Sequence, residues 1–149
     1  MTIAAIILDI RTLLDGDATL QGPTMLGAAG HVFPGWRTDD MVLPCLTVTE
    51  NNESSTRRPT YATSLHRDNS PTIQIDFWTS VDDPDAPTTD VEVDLICDRI
   101  DELLFKPGNV ANTRSWRRST TSPLSPDPDA PREMHKALRY TFEYSVIDT

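Results

Sequence analysis

Three histidines, His31, His66 and His135, have the most direct claim on acid–base or metal chemistry in this chain, because imidazole titrates near neutral pH and ligates metals through either ring nitrogen. Each stands alone, and His66 and His135 sit beside Arg67 and Lys136 in polar surroundings. All three read as surface histidines. Acidic pairs abound, at Asp39–Asp40, at Asp82–Asp83 and at Asp98 with Asp101 and Glu102. Two carboxylates brought close in a fold can divide general-acid and general-base work between them, but solvated loops and the outer face of a helix account better for these. Cys45 and Cys97 have no Cys or His at metal-ligand spacing and form no disulfide framework, which fits a reducing compartment. The chain contains no Gly-x-Ser-x-Gly elbow, Gly-rich phosphate loop, His-Glu-x-x-His or Cys-x-x-Cys. The expectation is a protein that is not an enzyme, with no catalytic, cofactor-binding or metal-ligating residues and no cofactor.

Charge directs attention to surfaces instead. The formal net charge is −10, from 11 Arg and 2 Lys against 17 Asp and 6 Glu, a balance that opposes attraction to phosphate backbones. Against it, Arg114, Trp116, Arg117 and Arg118 form a local basic patch with an aromatic. Such a patch can stack and neutralise a single nucleic-acid strand. In so acidic a chain it suits an acidic protein neighbour better, or an edge strand kept polar against aggregation. The candidate subunit-interface residues are therefore Arg114, Trp116, Arg117 and Arg118, with Asp82, Asp83 and Asp85 as the acidic loop they would meet on a neighbour.

The elements that must position these residues follow from periodicity. Thr2 caps a helix carrying Ile3, Ile6, Ile7, Ile10, Leu13 and Leu14 on one face, stopped by Asp15-Gly16. His31-Val-Phe33 and Leu43 to Thr49 read as short strands around a polar turn, Pro34 to Asp40, that exposes Trp36. Glu50 to Asn69 lacks sustained periodicity and reads as a long polar loop. In the next strand Ile73, Ile75 and Phe77 alternate with Thr72, Gln74, Asp76 and Trp78, which predicts one buried face.

A second helix places Val91, Leu95, Ile96, Ile100, Leu103 and Leu104 on its buried stripe, opposite Glu92, Asp98, Asp101 and Glu102, and ends at Lys106-Pro-Gly108. Asn112 to Thr121 is weakly strand-like, and the proline-rich stretch 122–132 reads as a loop. A final strand alternates Leu138, Tyr140, Phe142, Tyr144 and Val146 with polar residues. The expected fold is a single α+β domain over residues 1–149: an antiparallel sheet of about four to five strands, two amphipathic helices packed on one face, and long polar loops near 50–69 and 122–132. The apolar start Ile3 to Leu8 is broken by Asp9 and Arg11, so neither a signal peptide nor a membrane span is expected.

The order and wording of these elements resemble a known family. The capped N-terminal helix, His31-Val-Phe-Pro34, Leu43-Pro-Cys-Leu-Thr-Val48, Ile73-Gln-Ile-Asp-Phe-Trp78, the helix ending Ile100-Asp-Glu-Leu-Leu104, and Leu138-Arg-Tyr-Thr-Phe-Glu-Tyr144 together are similar to the tail terminator, or tail completion, proteins of long-tailed bacterial and archaeal viruses. The likeness spans nearly the whole chain. It implies a structural virion protein, assembled in the host cytoplasm, that forms a ring, most often a homohexamer. The ring would sit on the last ring of the tail tube protein, end tube polymerisation and offer its other face to head-completion or neck proteins. DNA would pass only as cargo, and no membrane is involved; six copies at −10 apiece carry about −60, a charge that would repel passing DNA. The alternatives are a neck or head-closure connector and an unrelated ferredoxin-like ligand-binding module. The stretches 50–69 and 122–132 are longer than a minimal member of the family requires.

Overall fold

The computed structural model describes residues 2–58, 65–128 and 130–148. Two helices and six strands are found among them: α1 (Ile3–Asp15), β1 (Val32–Pro34), β2 (Cys45–Arg58), β3 (Leu65–Ser80), α2 (Asp90–Phe105), β4 (Thr113–Thr121), β5 (Ser125–Asp127) and β6 (Ala130–Asp148). The strands make one sheet in the order β1-β2-β3-β6-β4, with β5 also paired to β6. The fold is α+β with both helices on one sheet face, as the periodicity predicts. The sheet is mixed, because β1 runs parallel to β2 while the other pairs are antiparallel.

Both helices start where a hydroxyl can satisfy orphan amides. The Thr2 hydroxyl accepts from the Ala5 amide at 3.2 Å. Thr89 accepts from the Glu92 amide at 3.3 Å while its hydroxyl donates to the Glu92 carboxylate at 2.7 Å. α1 buries Ile6, Ile10 and Leu14. α2 buries Val93, Ile96, Cys97, Ile100, Leu103 and Leu104. Opposite them the sheet contributes Leu46 and Val48 from β2, Ile73, Ile75 and Phe77 from β3, and Leu138, Tyr140 and Phe142 from β6. Each such side chain contributes about 1.5–3 kcal/mol through burial.

Four expectations need correction. Val91 and Leu95 do not lie on the buried stripe: they are 74 % and 57 % exposed, and Val93 and Cys97 take their places. The true stripe is centred about half a turn from Val91, a difference that a short apolar pattern with valines at both 91 and 93 does not resolve. The stretch 50–69 is not a loop, since β2 runs on to Arg58 and β3 begins at Leu65, paired from Arg58↔His66 back to Cys45↔Trp78; residues 59–64 lie outside those described. Apolar alternation reports burial, whereas a strand ladder is made by backbone groups and continues where no face is covered. The stretch 122–132 likewise holds β5 and the start of β6, joined by the pairing Asp127↔Ala130. Its Pro126 sits on an edge strand, where a missing amide costs no ladder bond.

The fourth correction concerns the second face of β3. Asp76 and Trp78 are buried as completely as Ile75 and Phe77. The segment between β1 and β2 accounts for this. Its Trp36 lies edge-on to Trp78 with ring centroids 5.1 Å apart, and its Arg37 is tied to Glu133 of β6 at 2.9 Å. One end of the helix-free face is thus roofed by its own polar and aromatic cluster.

Candidate functional site

β4 is the sheet edge beyond β6, so its residues divide between the two faces. Trp116 turns to the helix side, where it stacks on Phe142 (4.2 Å between ring centroids, 18° between planes) and donates its indole N–H to the Thr113 hydroxyl at 2.8 Å. Arg118 turns the same way and pairs with Asp101 of α2 at 2.9 Å. Burial raises the Asp101 carboxyl above its usual range, against the hydrogen bond that it accepts from the Tyr140 hydroxyl and the nearby Arg118 guanidinium. The same burial and the contact with Asp101 push the Tyr140 phenol far upward. These three groups form a half-buried polar link between helix and sheet.

Arg114 and Arg117 emerge on the helix-free face. Arg114 reaches Asp68 at 3.0 Å and Glu143 at 3.5 Å, while the Arg117 Nε donates to the Thr141 hydroxyl oxygen at 3.0 Å. The candidate patch is therefore split by the sheet. Two of its arginines are committed to carboxylates of their own chain, and Arg117 meets no carboxylate among the described residues. Of the acidic loop, Asp82 pairs with Arg132 through two guanidinium nitrogens, Asp83 accepts from the Asp85 amide at 3.0 Å, and all three carboxylates lie on the surface. Among the described residues, no contact joins this loop to Arg114, Arg117 or Arg118.

The cluster under Trp36 was not visible in sequence as a unit. The Asp76 carboxylate, fully buried, meets His135 Nε2 at 2.5 Å and accepts from the Gln74 amide nitrogen at 2.9 Å. The His135 ring stacks on Trp78 at 4.1 Å, with Trp36 edge-on at 5.7 Å, and the Trp78 indole N–H donates to the Thr47 hydroxyl at 3.1 Å. An Asp–His pair of this kind would orient a base if a nucleophile stood beside it. Cys45 is the thiol in the same register row, but β3 lies between β2 and β6, so the two residues are about 9–10 Å apart. Burial pushes that thiol up to about 12, and Cys97 to about 11, so neither offers a thiolate near neutral pH.

The geometry thus makes Asp76 and His135 a fastening for the Trp36 segment. The sequence signal was Trp78, a large aromatic on a strand's polar face, which asks for cover. His31 is also used structurally, its Nδ1 lying 2.7 Å from the Pro44 carbonyl oxygen. The side chain of His66 lies outside those described. Among the described residues no three His, Cys, Asp or Glu side chains converge as a metal site, and no helix is long and apolar enough to cross a membrane. No family model matches this chain, and a search of curated proteins finds no match.

Proposed function

We propose that this chain is a tail terminator: a structural protein that assembles as a ring on the end of a viral tail tube, stops its growth and presents its other side to the neck. The observation that carries this reading is the element order. The capped helix, the strands His31-Val-Phe-Pro34, Leu43 to Val48 and Ile73 to Trp78, the helix ending at Leu104 and the strand through Leu138 to Tyr144 carry the family resemblance. In the folded chain they lie on one sheet with both helices on the same side. A second support is chemical. Of the polar groups singled out in sequence, His31, His135 and Asp101 serve to fasten elements together, while the exposed surface holds apolar and charged residues suited to assembly, including Leu95, Trp36 and Arg117.

The test uses purified protein and polymerising tail tube protein from the same virus. Added protein should arrest tube lengthening and leave a ring at one tube end in negative-stain images. Tubes that keep growing at an unchanged rate, with bare ends, would overturn the proposal.

A further inference from the structure

We propose that the outer stripe of α2 docks a second copy of this chain, seating on the helix-free face of the neighbour's sheet; the inference deepens the ring reading and rests on it. Val91, Leu95, Asp98 and Glu102 recur at steps of four, three and four residues and share one stripe, directly opposite the residues that α2 buries. All four are exposed. A single exposed leucine is ordinary. Here two apolar residues on successive turns are followed by two carboxylates, of which Glu102 also meets Arg99 at 2.9 Å and Asp98 does not, so the stripe is apolar toward the helix N-terminus and acidic toward its C-terminus.

The helix-free sheet face has the matching two parts. At one end Trp36, 56 % exposed, covers the row of Trp78 and His135. Further along β6 stand Arg139 and, in the row of Thr141, Arg117, both exposed. Each commits its Nε to a neutral oxygen, of Gln74 and Thr141 respectively, and neither pairs with a carboxylate among the described residues. The centres of the apolar and acidic pairs on α2 are about 10 Å apart at a helical rise of about 1.5 Å per residue, whereas Arg139 lies about 13 Å and the row of Arg117 about 20 Å along the strand from His135. The long arginine side chains must reach back toward the helix to meet the carboxylates.

Charge also selects the occupant. Pairing α2 with α2 would set Asp98 and Glu102 against like charges when the helices run parallel and against Val91 and Leu95, leaving the carboxylates unpaired, when they run antiparallel; pairing sheet with sheet likewise offers Arg117 and Arg139 no carboxylate partner from this stripe. Helix against sheet is the attractive combination. Because the two surfaces lie on opposite faces of the molecule, the contact is heterologous. It repeats head to tail and closes as a ring when the rotation permits.

The test compares the parent with Asp98→Arg/Glu102→Arg, with Arg117→Glu/Arg139→Glu, and with all four changes in one chain, by light scattering and sedimentation velocity at low and high salt. Circular dichroism melts check that each variant folds. Each double variant should weaken self-association by about tenfold or more at low salt. A mixture of the two doubles should recover assembly with the two variants alternating, since native and reversed contacts are then both attractive, and the fourfold variant should recover self-association on its own. A parent that self-associates while both doubles do so equally well overturns the proposal and leaves the ring reading standing. A parent that stays monomeric at every concentration also overturns it, and the ring reading then falls only if tube ends lack rings. Loss of tube capping in either double with self-association unchanged overturns it too, giving the surface to the tube protein.

Discussion

Asp76 is the residue where this fold places most at stake. A buried carboxylate is tolerated because His135 and Gln74 donate to it, and removing it leaves both donors facing an apolar space under Trp36. Hydrogen bonds to a charged group are worth about 1.5–3 kcal/mol each, and an orphaned partner adds its own desolvation cost. Asp76→Ala should therefore lower stability by about 2–4 kcal/mol, or roughly 5–15 °C in melting temperature for a chain of this length. Circular dichroism melting checks the loss, and the fluorescence of Trp36 should shift to the red as its underlying row loosens. A variant melting within a degree of the parent would mean the cluster fastens nothing. None of this cluster was read from the sequence, whose alternation placed Asp76 and Trp78 on the open face of the strand. The partners, Asp76 and His135, are 59 positions apart and meet through strand register.

At the scale of elements, α2 separates two neighbouring apolar residues by role. Ile96 is fully buried and Leu95 faces solvent. Ile96→Asp should abolish the melting transition, because an unpaired buried charge costs several kcal/mol against a total of about 5–15. Leu95→Asp should melt within about 0.5 kcal/mol of the parent, as surface changes do. A Leu95→Asp chain that fails to fold would restore the stripe expected from periodicity.

The two helices are also tied to each other, by Arg99 of α2 on Asp17 just past α1 at 2.7 Å. The Arg99 guanidinium bonded to the Asp17 carboxylate holds its pKa below the ordinary value of 3.8. Asp17 therefore binds its proton less readily folded than unfolded. The contact adds stability above pH 3.8 and loses it as pH falls below that value, through the folded pKa. Urea midpoints of the parent and Arg99→Ala should differ at pH 6 and converge as pH approaches 2. A gap of constant size would show that Asp17 takes no part. Arg118 serves a similar end through Asp101, so Arg118→Ala should lower the melting temperature more than Arg114→Ala or Arg117→Ala, whose exposed contacts are each worth about 0–1 kcal/mol.

For the whole molecule, one continuous core joins both helices to the central strands. Unfolding should be a single cooperative transition by fluorescence and circular dichroism together. Hydrogen exchange should be slowest in Ile73 to Phe77 and Leu138 to Thr141, which are paired on both edges and covered by helices on one face. Two separated transitions would show that the Trp36 segment or the β2–β3 extension unfolds as its own unit.

The sequence by itself determined what depends on neighbours a few residues away. The helix cap at Thr2, the alternation in β6 and the α+β layer order all follow from local periodicity and side-chain chemistry, and each is present in the fold. Only the tertiary structure decided the rest. It chose which of Val91 and Val93 faces the sheet, extended β2 and β3 through a polar stretch, and split Arg114 and Arg117 from Trp116 and Arg118 across β4. It also brought Asp76 to His135 beneath Trp36. Each of these is set by strand register or by a distant segment lying over a face, and neither leaves a periodic trace in the residues it concerns.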